Sequence, residues 1–227
     1  MVIKLKLYTT GHFKIGLSIM ETKIHKSKFV IIASIATEIT KIINIAKELS
    51  LAAGNAKAIA YRAGDKAKGF QPITDFINEL AKETLMLVND INNNAYSLYN
   101  ISIEEYRIKE AIKGINKVNK LIGNKNQQPY YYNSLESFSL TLNKELMYCS
   151  EDLDIKVKEL LDQLDGIMRP ARAARVIAAN SRIEASQADE YLQSLQGVAE
   201  SVDKAAQVIY DSVQRSQRTL SMINHLD

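Results

Sequence analysis

Apolar residues recur along the first third of the chain at alternating steps of three and four positions. This spacing places them on one face of an α-helix and is typical of the a and d positions of a coiled coil. The apolar side chains change from isoleucine to alanine as the seam proceeds, so we expect the helices to approach closely at its end. The seam consists of Ile32, Ile35, Ile39, Ile42, Ala46, Leu49, Ala53, Ala56, Ala60 and Ala63.

A turn is predicted directly after this seam. Gly64 and Gly69 enclose a short polar stretch, and Pro72 follows in the first turn of a new helix, where proline is tolerated. Residues 64–70 are therefore predicted to form the tip of a helical hairpin.

The return helix carries a similar but interrupted apolar stripe, from Ile73 to Ile115. It should end near Gly123. The following residues 124–133 are polar, contain a proline and have no periodicity, so they are predicted to form a loop.

The first seam returns 125 positions later. This third seam changes from large aliphatic residues to alanine in the same way, and the helix after it repeats the second helix at the same shift. The chain is therefore predicted to be a tandem duplication of one helical hairpin. Matching pairs are Ile32 and Val157, Ile42 and Ile167, Ala53 and Ala178, Ala63 and Ala188, and Ile73 and Val198.

The duplication predicts an all-α fold, a long antiparallel four-helix coiled-coil bundle made of two tandem hairpins at residues 21–123 and 134–227. The second and third helices have matching lengths, which places both tips at one end of the bundle. We expect a monomer that forms a pseudo-dimer within one chain, rather than a homodimer. Pro170 should kink the third helix or divide it in two.

The N-terminal residues 1–20 have a different pattern. Apolar and polar residues alternate on both sides of Gly11, which predicts a short β-hairpin, with an amphipathic membrane-surface segment as the alternative. The second and third helices extend beyond the other two, so the apolar residues at their distal ends would face solvent. We expect the N-terminal segment to pack over these residues. Deletion of residues 1–19 should then lower stability or cause aggregation.

The composition of the chain argues against several classes of function and location. Twenty-nine Lys and Arg against twenty-six Asp and Glu give a net charge of +3 with both signs interspersed, which argues against a nucleic-acid partner. The longest apolar run, residues 29–36, is too short to span a membrane, and nothing at the N-terminus resembles an export signal. A single cysteine fits a reducing compartment. We therefore expect a cytoplasmic protein without a membrane span.

Residues that carry chemistry are sparse. His12, His25 and His225 are far apart, without the spacing of metal ligands, and Cys149 has no neighbouring histidine in sequence. We expect no enzyme activity, no metal and no cofactor. Glu104 and Glu105 are predicted to lie on a solvated helix face.

Residues 60–70, AYRAGDKAKGF, place an Arg-Ala-Gly-acid element and a Gly-Phe element around one turn. In this spacing, and along residues 45–81 without a gap, the chain resembles the cytoplasmic hairpin tip of methyl-accepting chemotaxis receptors. Residues 170–206 align with the same pattern but have diverged further. The resemblance implies a signalling hairpin that acts through protein contacts at its tip.

In that family the Asn, Glu and Arg of the tip contact other receptors, and the turn and return helix meet a coupling adaptor and a histidine kinase. Here the first copy has Ile59 at the family's Glu position, and the second has Gln187, Asp189 and Leu195 for the Arg, Gly and Phe. The resemblance thus implies partner-contact candidates divided between the two tips. They are Asn55, Arg62, Asp65 and Phe70 in the first copy and Asn180, Glu184 and Glu190 in the second.

Two functions are consistent with the sequence. One is a soluble chemoreceptor-like signalling or adaptor module that binds protein partners through its tips, with a coupling adaptor, a histidine kinase or other receptors as the partners implied. The alternative is a structural helical bundle whose receptor-like tip is vestigial and has no role in kinase control.

Overall fold

Four long helices make up the computed structural model, which describes residues 28–122 and 129–223. Helix α1 packs against α2 and α4, and α3 packs against the same two helices, so each helix has two neighbours in the bundle. The bounds are α1 Lys28–Ala63, α2 Phe70–Ile122, α3 Pro129–Ala185 and α4 Leu192–Ser221, with 3₁₀ turns at Gly64–Ala67 and Asp189–Tyr191.

The predicted all-α class and the bundle of four helices are confirmed. No strand occurs within the described ranges. The β-hairpin predicted for residues 1–20, and its proposed packing on the distal end, lie outside them.

The core divides into two regions that follow the two halves of each seam. Away from the tips, buried isoleucine and leucine side chains such as Ile39, Ile42 and Leu164 form one cluster. Near the tips, a second cluster is lined mainly by alanine, for example Ala53 and Ala178. The change from large to small side chains along the seam therefore corresponds to a core of large aliphatic side chains away from the tips and of alanine near them.

Burial repeats at the same shift of 125 residues as the sequence. The turn repeats as well, because Gly64 has φ 56° and Asp189, its counterpart, has φ 46°, the one non-glycine residue with positive φ among the described residues. Both hairpins thus turn through a left-handed residue at the same place. Pairs buried in both copies include Ile35 and Leu160, Ile77 and Val202, Val88 and Val213, and Leu98 and Ile223.

Two predicted boundaries can be compared with the structure. Helix α2 ends at Ile122, as expected from Gly123. Helix α3 begins at Pro129, so the prediction of a loop over residues 124–133 was wrong for its last five residues. Proline is well suited to a first helical position, because it lacks the N–H that has no partner there.

Helix α3 continues through Pro170 without a break, so it is not divided in two as the sequence analysis allowed. The ring of Pro170 removes one backbone donor and crowds the carbonyl four residues earlier, which belongs to Gly166.

At the end away from the tips, the prediction that Glu105 lies on a solvated helix face was wrong. Glu105 is 2% exposed. Its Oε1 lies 3.1 Å from Lys28 Nζ and 2.9 Å from Lys109 Nζ. Glu104 is exposed, as expected. Beyond this ion pair, α2 and α3 continue together around a small cluster of Ile108, Ile115 and Leu142.

One helical segment among the described residues, Lys28–Ala67, is long and apolar enough to cross a membrane by length and composition, with a mean hydropathy of 1.7. The sequence analysis expected no span because it considered the uninterrupted apolar run at residues 29–36. A helix that buries an apolar face in a bundle meets the same criterion, and about a third (33%) of this window is buried here.

Candidate protein-interaction surface at the hairpin tips

The two turns meet at one end of the bundle. Lys66 Nζ in the first turn lies 3.6 Å from Asp189 Oδ2 and 3.8 Å from Glu190 Oε1 in the second. All three side chains are more than half exposed, so these contacts stabilise the fold only weakly. The tips thus form one composite surface whose charged side chains remain accessible to a partner.

A second contact between the tips involves Glu184 and Gly69. The half-buried Glu184 side chain lies against the backbone of Gly69, where a Cβ atom would come within 2.8 Å of the Glu184 carboxyl carbon. A side chain at position 69 would therefore displace the flexible Glu184 carboxylate from this contact. The glycine of one tip makes room for the carboxylate of the other.

Apart from the half-buried Glu184, the predicted partner-contact residues fall into two groups. Phe70 is 1% exposed and belongs to the alanine-rich core cluster, as does Leu195 at the corresponding position of the second copy. The Phe70 side chain therefore has a packing role and is not accessible to a partner in this conformation. The exposed candidates are Asn55, Arg62, Asp65, Asn180 and Glu190.

The two turns carry opposite charge. In residues 60–70 three cations, Arg62, Lys66 and Lys68, and one acid, Asp65, give +2. In the corresponding residues 185–195, two acids and no cation give −2. The sequence analysis compared each copy with the chemoreceptor pattern and missed this complementarity, which a direct comparison of the two turns reveals.

Large apolar side chains are exposed on the helices next to the turns. Tyr61 is 80% exposed, Ile183 61% and Phe76 55%. Such residues next to polar and charged groups are typical of protein-interaction sites. The sequence analysis did not select them because they lie off the apolar seam.

Ion pairs tie the two helices of each hairpin together below the turn. Lys57 Nζ lies 2.6 Å from Asp75 Oδ1 in the first hairpin, and Arg182 Nη2 lies 2.7 Å from Asp203 Oδ2 in the second. Hydrogen bonding from Arg182, together with the nearby Arg175, lowers the pKa of Asp203. Because Lys57 and Asp75 are more than half exposed and Arg182 and Asp203 about a third or more, these pairs connect the helices but add little stability.

Residues considered for chemistry lie elsewhere. His12, His25 and His225 are outside the described ranges. The Cys149 thiol donates a hydrogen bond to the Ile101 carbonyl at 3.4 Å, and burial raises the pKa of this thiol. Within residues 28–122 and 129–223, no group of three or more His, Cys, Asp or Glu side chains is arranged to hold a metal ion.

No known family model matches the chain, and neither a characterised protein nor a solved structure shows significant similarity to it.

Proposed function

We propose that this chain is a cytoplasmic signalling or adaptor module that binds protein partners through the composite surface of its two tips. The observation that carries the proposal is the meeting of the tips, with Lys66 beside Asp189 and Glu190, and Glu184 against Gly69. A single chain thereby presents a composite surface that would otherwise require two separate hairpins to associate.

The composition of the surface supports protein rather than small-molecule recognition. Arg62, Asn55 and Asn180 are exposed polar groups, and Tyr61 and Ile183 add exposed apolar area. Aromatic residues and arginine are enriched at protein interfaces, where a few of them supply most of the binding energy. The resemblance to chemoreceptor tips makes a coupling adaptor, a histidine kinase or another receptor the first partners to test.

The test is direct binding of the purified chain to a chemotaxis coupling adaptor and histidine kinase, with Arg62→Ala and Glu184→Ala as variants. Each variant should weaken binding at least tenfold if the side chain is central to the interface. Thermal stability should stay within about 0.5 kcal/mol of the wild type, as for most surface substitutions.

Arg107→Ala is the matched control. Arg107 is exposed, forms an ion pair with Glu104 and lies on the distal part of α2, so its loss should leave binding unchanged. Equal binding by all three variants would contradict the tip as the interface. Absence of any binding by the wild type would favour a structural bundle with a vestigial tip.

A further inference from the structure

The net charge of the protein lies at the end of the bundle away from the tips. Helix α1 begins at Lys28, beside Glu105, and α2 and α3 continue past this ion pair as a helical pair. We call residues 106–122 of α2 and 129–148 of α3 the distal end. Residues 106–122 carry five cations and one acid, a charge of +4, and residues 129–148 carry −1. The distal end thus accounts for the whole net charge of +3.

Three lysines form a stripe on one face of the distal part of α2. Lys113, Lys117 and Lys120 are spaced by four and three positions, so they lie side by side on the helix, and all three are exposed. Lys113 Nζ pairs with Glu110 Oε1 at 2.7 Å, whereas neither Lys117 nor Lys120 has an ion-pair partner within residues 28–122 and 129–223. Ammonium groups without a paired acid leave a positive potential at this face.

Exposed apolar side chains are concentrated at the same end. The distal end makes up about a fifth of the described residues but holds eight of their seventeen exposed large apolar side chains. Leu121 is 79% exposed and lies one helical turn beyond Lys117, on the face that carries the lysines. Val118 is 42% exposed, and Tyr130, in the first turn of α3, is 78% exposed.

The eight exposed apolar side chains do not contribute to the packing of α2 against α3. The cluster between these two helices is formed by Ile108, Ile115 and Leu142, with partly buried neighbours that include none of the eight. Exposed apolar residues that are grouped together and bordered by charged residues mark an interaction surface. The distal end therefore carries a basic and apolar surface, separate from the composite surface of the tips.

The chemistry of this surface distinguishes between possible partners. A second copy of the chain would bring one positive segment against another, and like charges repel. A nucleic acid would bind the lysines through its phosphates but would offer no apolar environment to Leu121 and Val118. An anionic bilayer suits both kinds of side chain, since lysines reach its headgroups while apolar side chains enter the interfacial region.

We propose that the distal end binds the surface of a membrane that contains anionic phospholipids. Lys113, Lys117 and Lys120 contact the headgroup phosphates, and Leu121 and Val118 insert among the outer parts of the acyl chains. This contact goes beyond protein recognition at the tips, because it assigns a second surface at the opposite end. Helix α2 has 53 residues, so the tips then lie about 80 Å along the bundle from the lipid.

Flotation of the full-length protein with lipid vesicles tests the proposal. Vesicles of phosphatidylcholine alone are compared with vesicles in which about a third of the lipid is phosphatidylglycerol. We expect binding to the anionic vesicles, little binding to phosphatidylcholine, and release at about 0.5 M NaCl, where charges are strongly screened. Failure to bind the anionic vesicles, or equal binding to both kinds, would overturn the proposal.

Two variants locate the surface. The double variant Lys117→Gln and Lys120→Gln should weaken binding to anionic vesicles at least tenfold, because each lysine near such a surface contributes roughly a factor of five. Leu121→Ser should weaken binding roughly three- to tenfold by removing an inserted apolar side chain. Unchanged binding by both variants would place the lipid contact elsewhere in the chain and refute the assignment.

Each variant has a matched control on the four-helix part of the bundle. The double variant Lys47→Gln and Lys82→Gln removes the same charge from two exposed lysines, and Leu51→Ser alters a leucine that is 71% exposed. Both controls should bind vesicles as the wild type does. If the lysine control weakened binding as much as the distal double variant, binding would follow net charge alone and the distal end would not be the site.

Sedimentation velocity without lipid tests the second copy as the partner. We expect the wild type and Leu121→Ser to have the same oligomeric state. A wild-type dimer that Leu121→Ser dissociates would assign this surface to a second copy and contradict the membrane proposal. All of the substituted side chains are exposed, and circular dichroism verifies that each variant is folded.

Discussion

The two hairpins agree in the residues that they bury and differ in the polar contacts that join their helices. Ile39 and Leu164 occupy corresponding positions and are both 0% exposed. By contrast, the first hairpin has a neutral hydrogen bond between Ser50 and Asn78 where the second has an ion pair between Arg175 and Asp203. Helix packing requires side chains of fitting, mostly apolar, character in the core, whereas many different polar pairs are compatible with the surface.

The turns extend this comparison to the backbone. Gly64 and Asp189 share a left-handed conformation although only glycine adopts it at little cost. The second hairpin therefore keeps the path of the turn with a less suitable residue. The positions of the two helices determine the turn, and the residue at its centre determines how much strain the turn carries.

The largest effect that tests this comparison is expected in the core. Ile39→Ala and Leu164→Ala should each lower the free energy of unfolding by about 2–5 kcal/mol, since each removes a fully buried aliphatic side chain and leaves a cavity. Because the two positions are equivalent, we expect the two losses to agree within about 1 kcal/mol, as measured by urea unfolding.

Leu51→Ala is the control for this pair. Leu51 lies on the same helix as Ile39 but is 71% exposed, so its truncation should change stability by about 0.5 kcal/mol or less. A loss below 1 kcal/mol for either core variant, with the other strongly destabilised, would show that the two hairpins do not share one packing.

An intermediate effect is expected at the turns, with opposite signs in the two copies. Gly64→Ala should cost about 1 kcal/mol because it places a Cβ on a left-handed residue, although no atom lies within 4 Å of that Cβ. Asp189→Gly should be neutral or stabilising by about 0.5 kcal/mol, since it relieves the same strain and loses only an exposed ion pair.

Gly54→Ala separates backbone strain from other effects of removing a glycine. Gly54 lies inside α1 with open space at its Cβ position, so alanine there should stabilise the helix by about 0.5–1 kcal/mol. If Gly64→Ala stabilised the protein in the same way, the left-handed turn would not be maintained in solution.

The helices and the repeat of buried positions were predictable because both follow from the spacing of apolar residues along the seams. Every residue of the first seam, from Ile32 to Ala63, is buried. The tip was predictable from Gly64 and Pro72, whose backbone requirements are local. These features depend on neighbours along the chain or on strict periodicity.

The features that sequence reasoning missed depend on distant residues. Glu105 is buried because Lys28, 77 positions away, neutralises it. Phe70 looked like a contact residue by family resemblance, but packing among the alanines of four helices buries it. The contact of Glu184 with Gly69 required knowing which tip residues face each other across the bundle.

The last predicted effect concerns pH and a polar pair between the two hairpins, where α1 packs against α4. Glu38 pairs with Arg215, whereas their counterparts are Gln163 and Asp90. Hydrogen bonds lower the Glu38 pKa from 4.5 to about 2 in the folded chain. A lowered folded-state pKa stabilises the protein above pH 4.5, and this contribution disappears as the pH falls toward 2.

Glu38→Gln should therefore destabilise the chain by about 1 kcal/mol at pH 7, and the difference from the wild type should vanish near pH 2. Urea unfolding at a series of pH values measures both. Gln163→Glu is the reverse experiment, because it places a carboxylate on α3, which packs against α2, where Asp90 replaces the arginine. Its destabilisation should be present at pH 7 and should diminish, rather than grow, as acid neutralises the new carboxyl group. A Gln163→Glu variant as stable as the wild type at pH 7 would mean that another cation compensates this position. The polar contacts between α1 and α4 and between α2 and α3 would then be more alike than their residues indicate.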